Sequence, residues 1–101
     1  MRKRLIGLAV VLAALAGTVH AEDKKVTIGV SIPAADHGWT SGVVFHAERV
    51  AKLLMKEHPG LNVIVKTSPD AANQANALQD LAVQGLDALV VLPSDPDPLV
   101  N

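Results

Sequence analysis

The chain has 101 residues, half of them hydrophobic, and a formal net charge of -1, which allows one domain or part of one. With no basic excess to hold phosphates, and one Trp, one Phe and no Tyr for base stacking, nucleic-acid binding is excluded. No cysteine is present, so a disulfide framework, a thiolate metal site and a lipidated-cysteine anchor are excluded too.

Residues 1–21 read as a secretory signal peptide. Arg2, Lys3 and Arg4 open it, and Leu5 to Gly17 is an uncharged, mostly apolar run of 13 residues. Thr18-Val19-His20-Ala21 then offers a cleavage site after Ala21. The alternative, a transmembrane helix, needs about 20 apolar residues. His20 and the charged run Glu22, Asp23, Lys24, Lys25 cut the stretch short of that. Residues 22–101 keep all ten acidic residues and six of the nine basic ones, a formal net charge of -4. A mildly acidic domain outside the cytoplasm is expected.

The first element is a strand over residues 26–32, VTIGVSI, short and nearly continuous in apolar character, as a strand covered on both faces is. Pro33 cannot donate to a ladder and ends it. Ala34 to Trp39 is a loop carrying Asp36, His37 and Trp39. Thr40 or Ser41 is expected to cap the following helix. Val43, Ala47, Val50, Ala51 and Leu54 should face the sheet, with Glu48 and Lys52 as an i,i+4 ion pair outside. Pro59 and Gly60 stop this helix.

The second strand is NVIVKT, residues 62–67. Ser68 as N-cap, Pro69 at the first helical position and Asp70 near the positive end of the dipole predict a helix over 69–84. Ala75, Leu78, Leu81 and Ala82 form its apolar stripe, and Gly85 closes it. The third strand is ALVVL, residues 88–92. Three prolines within residues 93–98 then forbid a further helix or ladder.

The order β-α-β-α-β predicts an α/β fold with a parallel sheet. The preferred topology is flavodoxin-like, with the first strand between the other two. Pattern alone leaves open which faces the helices cover. Both outer strands would expose apolar edges that complete folds pair or cover. The expectation is therefore a truncated chain, an incomplete lobe.

These residues carry a family likeness. KKVTIGVSIPAADHGW, a helix, and then NQANALQDLAVQGLDALVVLPSD resemble the N-terminal part of bacterial periplasmic sugar-binding proteins. Those are the ribose- and galactose-type subunits of ABC importers, related to the effector domains of lac-repressor-type regulators. The resemblance implies a type I periplasmic binding protein fold, of which residues 22–101 supply the beginning of the N-terminal lobe. It implies a periplasmic monomer without cofactor, capturing a sugar or polyol between two hinged lobes and docking on an ABC permease in the inner membrane. By position, Asp36 and His37 fall where polar residues contact sugar hydroxyls, and Trp39 where an aromatic packs on the ring. Thr40 departs from the pattern, standing where some members carry a second aromatic.

The side-chain chemistry agrees independently. A sugar needs a flat apolar wall and a few oriented polar groups. Trp39 offers the wall, an ionised Asp36 accepts hydrogen bonds strongly, and His37 donates or accepts according to tautomer. Asp95, after the third strand, stands at the site edge, where ligands gather in open α/β sheets. Each has a plainer reading: Trp39 packing beneath the helix, Asp36 stabilising a turn, His37 solvated in a loop. Ser68 and Asp70 read as caps. His46 and His58 match no zinc spacing, so no metal is expected.

Three rival functions have sequence tests. An extracytoplasmic sensor or chemotaxis partner uses the same fold. A regulator's effector domain would need a DNA-binding helix-turn-helix before Val26, where the export signal stands. An enzyme would need a nucleophile–base pair or a phosphate loop; Gly38 and Gly42 are too few for the latter, and no catalytic role is assigned.

Overall fold

The structure, a computed structural model, describes residues 24–95 and Asp97. The expected signal peptide, residues 1–21, lies outside the described residues. Five elements follow in the expected order: β1 (Val26–Pro33), α1 (Gly38–Glu57), β2 (Leu61–Ser68), α2 (Ala71–Ala82) and β3 (Ala88–Val91). All three strands are parallel, in the order β2-β1-β3. β1 thus lies between the other two, as in the preferred flavodoxin-like order, whereas equally apolar β3 lies at the edge.

β1 and β2 pair over their whole lengths, from Val26 opposite Leu61 to Pro33 opposite Ser68. The ladder starts where Gly60, at φ 95°, turns the chain back and its carbonyl accepts the Val26 N–H at 2.9 Å. Only glycine takes that backbone region without strain. β3 joins β1 over Ile28–Ser31. Asp87 secures the junction: its backbone N–H donates to the Thr27 carbonyl at 2.8 Å, and its carboxylate accepts the Thr27 N–H at 2.8 Å.

The helices do not touch each other. The β1–α1–β2 connection runs one way along the sheet and the β2–α2–β3 connection runs back past β1 the other way, so right-handed crossovers put α1 and α2 on opposite faces. Gly29 and Ser31 lie on the α2 side, beneath Leu81 and Gln74. The tightest core positions are Ile32, Ala51 and Leu81, each under 7% exposed.

Three local expectations need correction. The cap of α1 is His37, not Thr40 or Ser41. His37 is extended (φ -152°, ψ 174°), and buried Thr40 is the third helical residue, reaching back to accept the His37 N–H at 3.2 Å. The cap of α2 is Asp70, not Ser68, because Ser68 completes β2 and is buried against Pro33. α2 ends at Ala82 rather than Gln84, and Gly85 makes the turn at φ 73°.

The apolar faces differ as well. On α1 the sheet takes Thr40, Val43, Val44, Ala47, Ala51 and Met55, while Val50 and Leu54 remain 48% and 37% exposed. The stripe read from hydrophobicity is turned by roughly half of one 100° residue step from the one that packs. Glu48 and Lys52 do not close as an ion pair; among the described residues the contact within salt-bridge distance is His37 with Asp36. On α2, Ala82 is exposed, and Gln74 takes a fully buried place. Leu89, Val90 and Val91 of β3 are all exposed.

Candidate functional site

β1 and β3 run parallel and side by side; the chain leaves β1 toward α1 on one face of the sheet and reaches β3 from α2 on the other. Their carboxyl ends share one edge of the sheet, the edge at which ligands of open α/β sheets sit. A concave cleft of about 640 Å³ lies there, with Pro33 and Leu92 at its floor. Asp36, His37, Trp39 and Asp95, the four residues singled out from the sequence, all line it.

The β1–α1 turn holds three of them. The Thr40 hydroxyl organises the turn, accepting the N–H groups of Asp36 and His37 at 3.3 and 3.2 Å and donating to Asp36 Oδ1 at 2.8 Å. His37 Nε2 lies 3.5 Å from the same carboxylate oxygen. Asp36 thus has the turn-stabilising role and a free one together: Oδ1 faces Thr40, while Oδ2 has no protein partner among the described residues and the side chain is 70% exposed. Trp39, in the first turn of α1, is 63% exposed. It does not pack beneath the helix; its ring is a bare wall of the cleft.

The far rim comes from β3 and α2. Asp95 is exposed, and its Oδ1 accepts the Asp97 N–H at 3.1 Å, bending the chain after Ser94. Asp70 caps α2, accepting the backbone N–H of Asn73 at 2.8 Å and its side-chain amide at 2.8 Å. Those bonds, the Asn73 backbone bond first, hold its carboxyl below the usual carboxylate value. Among the described residues the lining therefore includes three carboxylates and one histidine, with no lysine or arginine.

One positioning residue escaped the sequence reading. Gln74 is fully buried between the sheet and α2. Its Nε2 donates to Leu92 O at 2.9 Å and Ser31 Oγ at 3.2 Å, and its Oε1 accepts the Ser94 N–H at 2.8 Å. One amide thus ties the floor strand β1 to the loop that carries Asp95. The signal for it is positional. Ala71, Gln74, Leu78 and Leu81 recur at helical spacing, so Gln74 stands in an apolar row.

Among the described residues no cluster of three or more histidines and carboxylates is placed to hold a metal ion. None of the described helices is long and apolar enough to cross a membrane. Compared with known proteins, the chain matches no family model and no curated protein.

Proposed function

We propose that this chain forms one wall of a binding site for a neutral sugar or polyol, in an exported protein that captures its ligand without transforming it. The observation that carries the reading is the meeting of Asp36, His37, Trp39 and Asp95 on one open cleft at the strand ends. An exposed aromatic ring suits the C–H face of a sugar, and free carboxylate and imidazole atoms suit its hydroxyls. A lining that has, among the described residues, three carboxylates and no lysine or arginine favours neutral ligands over phosphorylated or acidic ones.

In this reading the three strands and two helices begin the N-terminal lobe of a type I periplasmic binding protein fold. The strand order β2-β1-β3 and the strand-end cleft support it. A second lobe closes over the ligand, and the closed form is favoured by as much as the ligand prefers it. The site of action is the periplasm, and the closed protein delivers its ligand to an ABC permease. A sensory role in the same compartment would use the same capture step.

Isothermal titration of the protein at its natural length, against neutral pentoses, hexoses and polyols and their phosphate esters, tests the reading. At least one neutral member should bind saturably and its phosphate ester more weakly. Trp39→Ala should weaken binding about tenfold, the worth of one aromatic contact. No saturable heat from any neutral member at millimolar concentration, or an unchanged affinity in Trp39→Ala, overturns it.

A further inference from the structure

The outer face of α1 carries a second surface, remote in character from the acidic cleft. Phe45 is 60% exposed and Leu53 46% exposed. With Glu48, Arg49, Lys52 and Lys56 they line a shallow groove of about 380 Å³. Three of the six basic residues beyond Ala21 stand on this groove, in a stretch whose formal net charge is -4. None of those three closes an ion pair among the described residues.

The groove follows from helical spacing. Phe45, Arg49 and Leu53 form one row at i, i+4 and i+8, and Glu48, Lys52 and Lys56 form the next. A furrow between two such rows receives the ridge of another helix. Its apolar side chains would reward an apolar ridge, and its cations would reward carboxylates beside that ridge. We propose that this groove docks a helix of a partner protein that presents apolar residues at i and i+4 flanked by Glu or Asp.

Two other occupants fit less well. A second copy packed face to face about a two-fold axis would bring three cations of each groove against three of the other, with Glu48 the one acid lining each. An anionic lipid surface offers no ridge, and the acidic excess of the rest of the chain opposes approach to it. The docking face is built from the side of α1 and the cleft from its first turn, so a ligand and a partner helix can be bound together.

The test uses the whole protein, isotopically labelled for amide shift mapping. Three probes are added separately: a helical peptide with Leu at i, i+4 and i+8 flanked by Glu, the same peptide with Lys for Glu, and phosphatidylglycerol–phosphatidylcholine vesicles. The Glu peptide should bind with shifts centred on residues 45–56, and more weakly as salt is raised. The double variant Arg49→Glu/Lys52→Glu, changed only at exposed positions, should weaken it at least about tenfold. Phe45→Ala should also weaken it. The Lys peptide and the vesicles should not bind. Failure of the Glu peptide to bind, or equal binding to the double variant, overturns the proposal. Vesicle binding in its place reassigns the face to lipid.

Discussion

Replacing Gln74 with leucine tests whether a buried amide holds the cleft together. The substitution keeps the bulk and removes three hydrogen bonds, to Ser31 Oγ, Leu92 O and Ser94 N. Their fates differ. Ser94 is exposed and Leu92 half-buried, so water can replace the amide there at little net cost. Ser31 is fully buried, and its hydroxyl is left without a partner. An orphaned buried polar group costs about 1–3 kcal/mol, and the more favourable burial of leucine offsets part of that. The expected loss is about 2 kcal/mol. Urea unfolding followed by circular dichroism reads it as a lower midpoint at unchanged slope. Adding Ser31→Ala removes the orphan and should restore about 1 kcal/mol. Ligand affinity should fall in Gln74→Leu even where the protein is fully folded, because Ser94 and Asp95 lose their tie to the sheet. A Gln74→Leu protein within about 0.5 kcal/mol of wild type would refute the argument, since that is the range of featureless surface changes.

Other expectations follow from single contacts. A Cβ on Gly29 would meet Leu86 Cδ1 at 2.7 Å and Leu89 Cδ1 at 3.3 Å. Both are side-chain ends that can shift, so Gly29→Ala should cost about 1 kcal/mol and Gly29→Val more, measured by the same unfolding assay. Asp70 has a folded-state pKa below its ordinary 3.8. Its ionised form therefore stabilises the fold fully above that value, and the contribution is lost as pH falls through the lower folded one. The stability gap between wild type and Asp70→Ala should accordingly narrow below about pH 4. A gap that stays constant from neutral to acid pH would count against this cap. If the proposed two-lobed site is right, residues 22–101 produced alone should bind sugar at millimolar affinity or not at all, because one wall would leave most of a ligand in water and micromolar capture needs about 8 kcal/mol. Calorimetric binding in the submicromolar range would show that no opposing wall is needed.

The strands were legible because their signal is local. Val26–Ile32 and Ala88–Leu92 are apolar runs too short for helices and bounded by Pro and Gly. The parallel order followed from the helices between them. Caps were less legible, because several residues in a row were chemically able to cap. At Ser68-Pro69-Asp70 the decision belongs to β2, which runs on to pair Ser68 with Pro33 and leaves Asp70 as the first free acceptor. At Thr40 the hydroxyl does cap, from inside the first turn. Val50 and Leu54 misled because hydrophobicity does not say which flank the sheet meets. The flank that packs runs through Val44, Ala51 and Met55, and Val50 and Leu54 lie beside it.

The cleft divides along the same line. Asp36, His37, Trp39 and Asp95 could be found because a strand-end position in a parallel sheet is predictable from order alone. Gln74 could not, because its importance lies in partners 43, 18 and 20 residues away in sequence. The two kinds of residue serve different ends. The rim side chains are exposed, and Trp39 in particular makes no hydrogen bond on which the fold depends, whereas Asp36 also braces the β1–α1 turn. Gln74 is shared between fold and site: it satisfies the buried Ser31 hydroxyl and sets the height of the Asp95 loop over β1. An apolar residue at that place would fill the core and leave the loop unregistered. A buried amide holds one spacing because hydrogen bonds, unlike apolar contacts, fail over a few tenths of an ångström and a few tens of degrees. The geometry of the open rim is thus specified from beneath it, by the one polar group its core retains on the α2 row.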